Sequence, residues 1–505
     1  MNKILFLRPP FEGMNNYVPP HMGIAVLYSR CLETFGQAYE YHFLDCLLEK
    51  LDEARTATEI IDLAPEFIAI TVKSMQVEQT INIIRQVKAA YNPIIVCGGN
   101  HVSVEPELFI EAGANYSVIG AGEQALVEVI KFHTSPRSEA KLDCIIKSKE
   151  VRFSTPNWKI MDISRYNENI HIDFNKKSLP IMASRGCPFK CDFCSSYKVW
   201  GNATVYRKPQ EVVEEILSNA RCYNITDVHF YDDNLMLNRA WMIEFLDLLQ
   251  NSAVPIRWTC LSRPEIILKN SDLLEKMKIC GCSGFELGFE TLDSDLYDKM
   301  NKKNSSAIFQ KAFSEICKHD FEMVLILLML YYEGETFSSL YNTYSYLKKM
   351  KKKQKRFFLI SRFFSTPFTG TKFYERIESK GILLSEGYKH KYAIFLNFVP
   401  FSFLESYISE YVINKQALKL RYDLLGINNL IYEKEFNLIL CRCSLDLFCE
   451  KFNSMPSMAT VNDFVFALKE HINYPEANKA IYEFVCRILE FAIMNGVVNE
   501  KSVVL

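Results

Sequence analysis

The sequence predicts an α/β protein: a doubly wound parallel sheet, then a partial (β/α)6 barrel, then a mainly helical C-terminal region. Three observations carry this expectation. Short apolar runs alternate with amphipathic stretches from residue 1 to about 135. A second alternation, of six strand–helix units, begins at Leu179. Beyond residue 378 the strand runs cease and the chain reads as helical and aromatic-rich. A chain of 505 residues is too long for one ordinary core. The expected segments are 1–135, a polar linker at 136–178, a core at 179–378, and 379–505.

In the front segment the strand runs are Lys3–Leu7, Tyr41–Leu44, Phe67–Val72, Pro93–Cys97 and Tyr116–Ile119. Between them Val77, Ile81, Ile84 and Val87 share one helical face. Glycines follow strands at Gly98-Gly99 and Gly120-Ala121-Gly122, and ligands of doubly wound sheets bind outside the carboxyl ends of strands. The linker holds one anchor, Asn157-Trp158-Lys159-Ile160-Met161-Asp162. The later strands are Leu179–Ala183, Asp227–Tyr231, Ile256–Cys260, Gly284–Phe289, Met323–Tyr332 and Phe357–Phe364. Helices fit at Pro209–Ala220, Arg239–Gln250 and Ser271–Cys280. In such a barrel the chemistry sits at the carboxyl-end mouth.

Composition narrows the function. Apolar residues make up 49% and charged residues 23%, an ordinary globular balance. A net charge of −2 argues against a broad nucleic-acid surface. The basic run Lys348–Arg356 reads as a solvated helix end, with a docking surface for an acidic electron donor as the sharper alternative. The longest apolar run, Met323–Tyr332, is about half a membrane span and reads as a buried strand. No signal-peptide pattern opens the chain, so a cytoplasmic location with reduced thiols is expected. Sixteen cysteines then point to metal chemistry at some positions and core packing at most.

The segment Ser184-Arg185-Gly186-Cys187-Pro188-Phe189-Lys190-Cys191-Asp192-Phe193-Cys194 places C-x3-C-x2-C directly after a strand. Three thiolates on one loop can each hold an iron of a cubane cluster and leave the fourth iron open. Zinc usually takes four ligands, and no matching His or Cys follows nearby. A zinc knuckle or plain core packing are the competing readings. Cys280-Gly281-Cys282 and Cys441-Arg442-Cys443, with Cys449, read as core or half-buried thiols rather than a second cluster.

At these residues the chain resembles the radical-SAM superfamily, whose members carry CxxxCxxC with an aromatic before the last cysteine, here Phe193. The resemblance implies a [4Fe–4S] cluster on Cys187, Cys191 and Cys194 that binds S-adenosyl-L-methionine and cleaves it to methionine and a 5′-deoxyadenosyl radical. His229-Phe230-Tyr231-Asp232-Asp233-Asn234 looks like the second-strand motif, which implies Asp232 and Asp233 near the methionine end. Trp258–Glu265 is similar to the third-strand motif and implies Arg263 at the methionine carboxylate. Gly284–Thr291 resembles the fourth-strand motif and implies Glu290 near ribose or methionine. The fifth unit departs: Tyr331 and Glu333 stand where relatives often carry Gly and Pro.

The first 135 residues resemble the cobalamin-binding, Rossmann-type domain that precedes the core in one subgroup. The pieces are Arg8-Pro9-Pro10, Thr71-Val72-Lys73-Ser74-Met75, Gly98-Gly99-Asn100-His101 and Gly120-Ala121-Gly122-Glu123. They imply cobalamin contacts at Thr71, Ser74, Gly98, Gly99, His101, Gly120, Gly122 and Glu123. Leu47 stands at the position of the usual cobalt-ligating His, which implies cobalamin without a protein histidine below the metal. A sheet that only supports the core is the bland alternative.

Together these imply a cobalamin-dependent methyltransferase acting on an unactivated carbon of a small-molecule or natural-product substrate, fed by a reductant such as flavodoxin or ferredoxin. Cyclisation or rearrangement without methyl transfer is the second reading. A non-catalytic cobalamin or metal sensor is the third. Neither a membrane span nor a nucleic-acid partner is expected.

Overall fold

The computed structural model describes residues 2–380 except 12–17, 136–141, 149–152, 167–177, 253, 303–304, 331 and 354–356, with a short strand pair at Ala459–Thr460 and Val503–Val504. The helical region expected at 379–505, with Phe395, Phe398, Phe401 and Phe403, lies almost wholly outside the described residues. So do Cys441, Cys443, Cys449 and Tyr331.

The front sheet holds β1 (Asn2–Arg8), β2 (Tyr39–Asp45), β3 (Phe67–Thr71), β4 (Ile94–Gly98), β5 (Tyr116–Ile119) and β6 (Ile145–Lys147) in the order β2-β1-β3-β4-β5-β6, all parallel. Both faces are covered, so the strands read as unbroken apolar runs. Ile4 and Phe6 of β1 enter one core and Leu5 and Leu7 the other. The order reverses between β1 and β3, the switch point where doubly wound sheets leave a crevice.

The sixth strand corrects the reading of 136–178 as linker alone. Ile145–Lys147 pairs with Ser117–Ile119. The segment after it is pinned as the anchor reading expects: Asn157 N–H donates to Ala25 O at 3.0 Å and Trp158 is 1% exposed.

The chain continues with β7 (Ser178–Ile181), a separate two-residue antiparallel pair β8 (Ser184–Arg185) and β9 (Val205–Tyr206), and then β10 (Asp227–Phe230), β11 (Arg257–Ser262), β12 (Cys282–Glu290), β13 (Met323–Leu330) and β14 (Phe357–Phe364); β7 and β10 to β14 form the second sheet. Its order is β14-β13-β12-β11-β10-β7, all parallel. Each strand lies beside its predecessor, the layout of successive βα units in an open barrel. Helices cover one face. Phe230 and Trp258 meet Phe245 edge-on at 5.7 and 5.8 Å, and Phe289 lies 4.1 Å from Phe309. Helix starts follow their caps: Asn238, Asp293, Ser305 and Thr371 each accept a backbone N–H at an N-terminus. The helix Pro209–Tyr223 opens on proline, whose missing N–H is harmless there. One apolar core runs from the front sheet through Trp158 and Met161 to the helix-covered face of the second sheet. No described helix is long and apolar enough to cross a membrane.

Candidate active site

The cysteine loop begins where β8 ends. Gly186 has φ +93°, and a Cβ there would strike the Ala203 carbonyl, so only glycine makes this turn. Asp232, just past β10, ties the loop's base: its carboxylate accepts from Ala183 N–H at 3.0 Å and from the Ser184 hydroxyl at 2.5 Å. Burial pushes the Asp232 carboxyl up to about 7 against those hydrogen bonds.

Cys187 and Cys194 are half-buried and Cys191 is buried, and every described cysteine is a free thiol. Burial pushes Cys194 up to about 12; Asp233, Cys191 and Cys187 push the same way. The three thiols are thus electrostatic neighbours. Yet among the described residues no three His, Cys, Asp or Glu side chains converge on a single metal ion. A zinc site needs its ligands about 2.3 Å from one point, whereas a cubane takes each thiolate on a different iron. Three neighbouring thiols are the donor set that such a cubane takes.

Arg263, at the end of β11, stands over the loop. Its Nη1 donates to Cys191 Sγ at 3.2 Å, and its guanidinium lies 3.9 Å over the Phe189 ring. Nε pairs with Glu265, while Nη2 is buried without a hydrogen-bond partner among the described residues. An orphaned guanidinium N–H beside three thiols is a ready donor for an anionic ligand. Asp233 accepts from Ser196 Oγ at 2.6 Å, two residues past Cys194. Phe193 is half-buried on the turn between Cys191 and Cys194. Glu290 ends β12 at φ +64°, unusual outside glycine, and is held by Lys302 Nζ at 2.6 Å. The segment carrying Lys302 braces the loop: Asn301 Nδ2 donates to Lys190 O at 2.7 Å and Asp192 N–H to Met300 O at 3.0 Å.

Sequence reasoning missed the second brace. Asp192 is buried between two of the cysteines and accepts from Tyr332 OH at 2.6 Å and from Arg376 at 2.7 Å. The Tyr332 ring stacks on Phe373 at 4.7 Å. These partners lie 140 or more residues from Asp192, and no local pattern announces them.

A cavity of about 360 Å³ opens at the carboxyl ends of β1, β3 and β4 and the turn after β5. Of the residues expected there, Thr71, Gly98, Gly99, Gly120, Gly122 and Glu123 line it. Ser74 and His101 do not. Ser74 Oγ lies 3.0 Å from His101 Nδ1, and His101 Nε2 faces Glu105 at 2.9 Å. Arg8, His21 and Lys73 add cationic and imidazole groups to the wall. Arg8 is held by Asp45 at 3.2 Å, which gives the Asp45 turn its task. His21 Nδ1 accepts from Ile24 N–H at 3.2 Å, so Nδ1 is the unprotonated nitrogen and the imidazole caps a helix. Flat glycine turns and ringed donors suit a large planar cofactor with an anionic tail. The far wall comes from beyond the front domain: Met182 and Tyr231 just past β7 and β10, Arg185 of β8, and Trp200. Arg185 pairs with Glu123 at 2.6 Å, both almost fully buried, and lies 5.1 Å over Trp200.

The fold is thus an α/β protein with a switch-point cavity whose far wall includes Arg185, two residues before the three-thiol loop. Residues 181–347 match the Radical SAM superfamily and residues 20–130 the B12 binding domain. This chain belongs to the B12-binding radical SAM enzyme family, and its cofactors are a [4Fe–4S] cluster, S-adenosylmethionine and cobalamin. It is 24% identical over 372 residues to the anaerobic magnesium-protoporphyrin IX monomethyl ester cyclase of Rubrivivax gelatinosus, covering 68% of this chain and spanning 65% of the cyclase. It is 24% identical over 411 residues to an uncharacterized methyltransferase, PH0819, of Pyrococcus horikoshii, covering 77% of this chain and 85% of that protein. The cobalamin-dependent S-adenosylmethionine radical enzyme OxsB, with aqua-cobalamin and S-adenosylmethionine bound, shares the fold: TM-score 0.64 at 13% identity, covering 99% of this chain and 82% of that one.

Proposed function

We propose that this protein is a cobalamin-dependent radical SAM methyltransferase that methylates an unactivated carbon of a small-molecule biosynthetic substrate. The observation that carries the reading is the cavity shared by both sheets, whose Arg185 stands two residues before Cys187. One substrate could then meet both cofactors, the placement that methyl transfer requires. The methyltransferase relative, of which 85% is covered, supports the same choice.

Bound, the cluster supplies the electron that cleaves S-adenosylmethionine, and cobalamin supplies the methyl group. The chain's own groups do the rest. Cys187, Cys191 and Cys194 hold the cluster and leave one corner open. Arg263 balances thiolate charge and offers Nη2 to the methionine carboxylate. Glu290, aimed by Lys302, and Asp233, aimed by Ser196, orient the amino and ribose groups, and Phe193 covers the loop. Asp232 positions the loop rather than the ligand. Thr71, Gly98, Gly99, Gly120, Gly122 and Glu123 floor the cobalamin site. The domains assigned on this basis are 1–135 for cobalamin, 136–178 as connector and 179–378 for the radical core. A flavodoxin- or ferredoxin-like protein supplies electrons.

Cyclisation without methyl transfer is the second reading, favoured by the cyclase relative of equal identity. Anaerobic incubation of the reconstituted, reduced protein with methyl-deuterated S-adenosylmethionine and cell extract separates them. Methyl transfer yields S-adenosylhomocysteine and 5′-deoxyadenosine together, with a product carrying the deuterated methyl. Deoxyadenosine alone, with an unmethylated product, would overturn the proposal.

A further inference from the structure

One polar cluster in the second sheet carries no role in the cofactor sites described above. Strand alternation gives the sheet two faces. Phe230, Trp258 and Phe285 enter the helix-covered core. Their neighbours His229 (β10), Thr259 (β11) and Glu286 (β12) point to the opposite, inner face. His229 stands beside Thr259 in register, and Glu286 one pleat further along, beside Leu261.

The three lie close together. His229 Nδ1 lies 2.8 Å from Thr259 Oγ1. His229 Nε2 is 3.7 Å from Glu286 Oε1, beyond hydrogen-bond reach. Glu286 is only 9% exposed, and its Oε1 has no hydrogen-bond partner among the described residues. The nearby cation Lys302 is committed to Glu290 and to Gly288 O at 2.7 Å. Around the cluster the inner face is apolar and half-buried, with Leu261, Leu325 and Leu327. Tyr231 bridges outward. Its ring meets His229 edge-on at 5.4 Å and lines the shared cavity.

A buried carboxylate oxygen without a donor weakens a fold, and packing alone favours an apolar residue in its place. A ligand that brings the missing donor resolves the conflict. We propose that Glu286, flanked by His229 and Thr259, is the substrate anchor: it receives the N–H or O–H donor of a molecule whose remaining surface is apolar. The inference rests on the small-molecule enzyme reading above and names the substrate class. It excludes pure hydrocarbons and molecules whose polar group is only a carboxylate or phosphate.

The test uses the anaerobically reconstituted holoenzyme at about pH 8.5, where the Glu286 carboxyl is ionised, and three probes of one chain length, n-hexylammonium, 1-hexanol and hexanoate, measured by equilibrium dialysis. Hexylammonium is expected to bind about tenfold more tightly than hexanoate, and Glu286→Gln to lose about that factor. Glu286→Leu removes the preference altogether. Hexanol binding that also weakens in Glu286→Gln supports the anchor and shows that a hydroxyl suffices. Because Glu286 Oε1 has no hydrogen bond to lose among the described residues, both variants keep the bound cobalamin spectrum and a Tm equal to or above the native one. Hexanoate binding as tight as hexylammonium would overturn the proposal. So would affinity undiminished in both variants, or a Tm lowered by several degrees in both, which would make the carboxylate structural. None of these outcomes depends on methyl transfer, which the product pair tests by itself.

Discussion

Asp232 and Glu286 are carboxyls of similar burial and different duty. Asp232 has two donors and fastens the cysteine loop; Glu286 Oε1 has no hydrogen-bond donor among the described residues and faces the inner sheet surface. Burial pushes both up to about 7. An acid whose folded pKa lies above its unfolded value, about 4.3 for glutamate, keeps a proton in the native state that the unfolded chain has released. Its stabilising contribution is full in acid and disappears as pH rises through the folded pKa. Glu286 is therefore predicted to lower the Tm as pH rises from about 4 to about 7, and Glu286→Gln to flatten that slope. The titratable groups near it are His229, on the inner face, and Cys260, whose thiol feels its charge. Parallel melting curves for native protein and variant would contradict this account.

At the scale of elements, the connector is where burial matters most. Trp158 is fully buried between the front helix Met22–Phe35 and the common core. Trp158→Ala is predicted to cost about 3–5 kcal/mol, read by urea unfolding. A loss under about 1 kcal/mol would mean the anchor is dispensable. The elements were largely legible in the sequence because buried parallel strands are near-continuous apolar runs: five front strands and six core strands fall where those runs do. Ile145–Lys147 was not legible, since three residues in a polar stretch carry no periodicity. The thiol loop could be read because its spacing is local. The Asp192–Tyr332–Arg376 brace, the Arg185–Glu123 pair and the inner-face position of Glu286 depend on strand register and on partners far along the chain. Ser74 and His101 follow strands like the other expected contacts, but lie outside the cavity lining and 3.0 Å from each other.

At the scale of the whole molecule, a buried ion pair ties the front domain to the base of the thiol loop. Arg185 belongs to the short strand that launches the loop, and Glu123 opens the helix after the Gly120–Gly122 turn at the cofactor cavity. Removing one partner of a buried pair leaves the other charged and unanswered, at about 3–5 kcal/mol. Arg185→Ala is predicted to lose that stability and to weaken cobalamin retention on gel filtration. Undiminished cobalamin content would separate the pair from the cavity.

The account turns on three thiols holding a cluster with one open corner. Electron paramagnetic resonance of the anaerobically reduced protein, with iron and cobalamin counted on the same samples, tests it directly. The native protein is predicted to carry about four irons per chain and a reduced-cluster signal that shifts when S-adenosylmethionine is added. The variant with Cys187, Cys191 and Cys194 all replaced by alanine is predicted to keep cobalamin and lose both iron and signal. A variant that retained its iron and its response to S-adenosylmethionine would contradict the account.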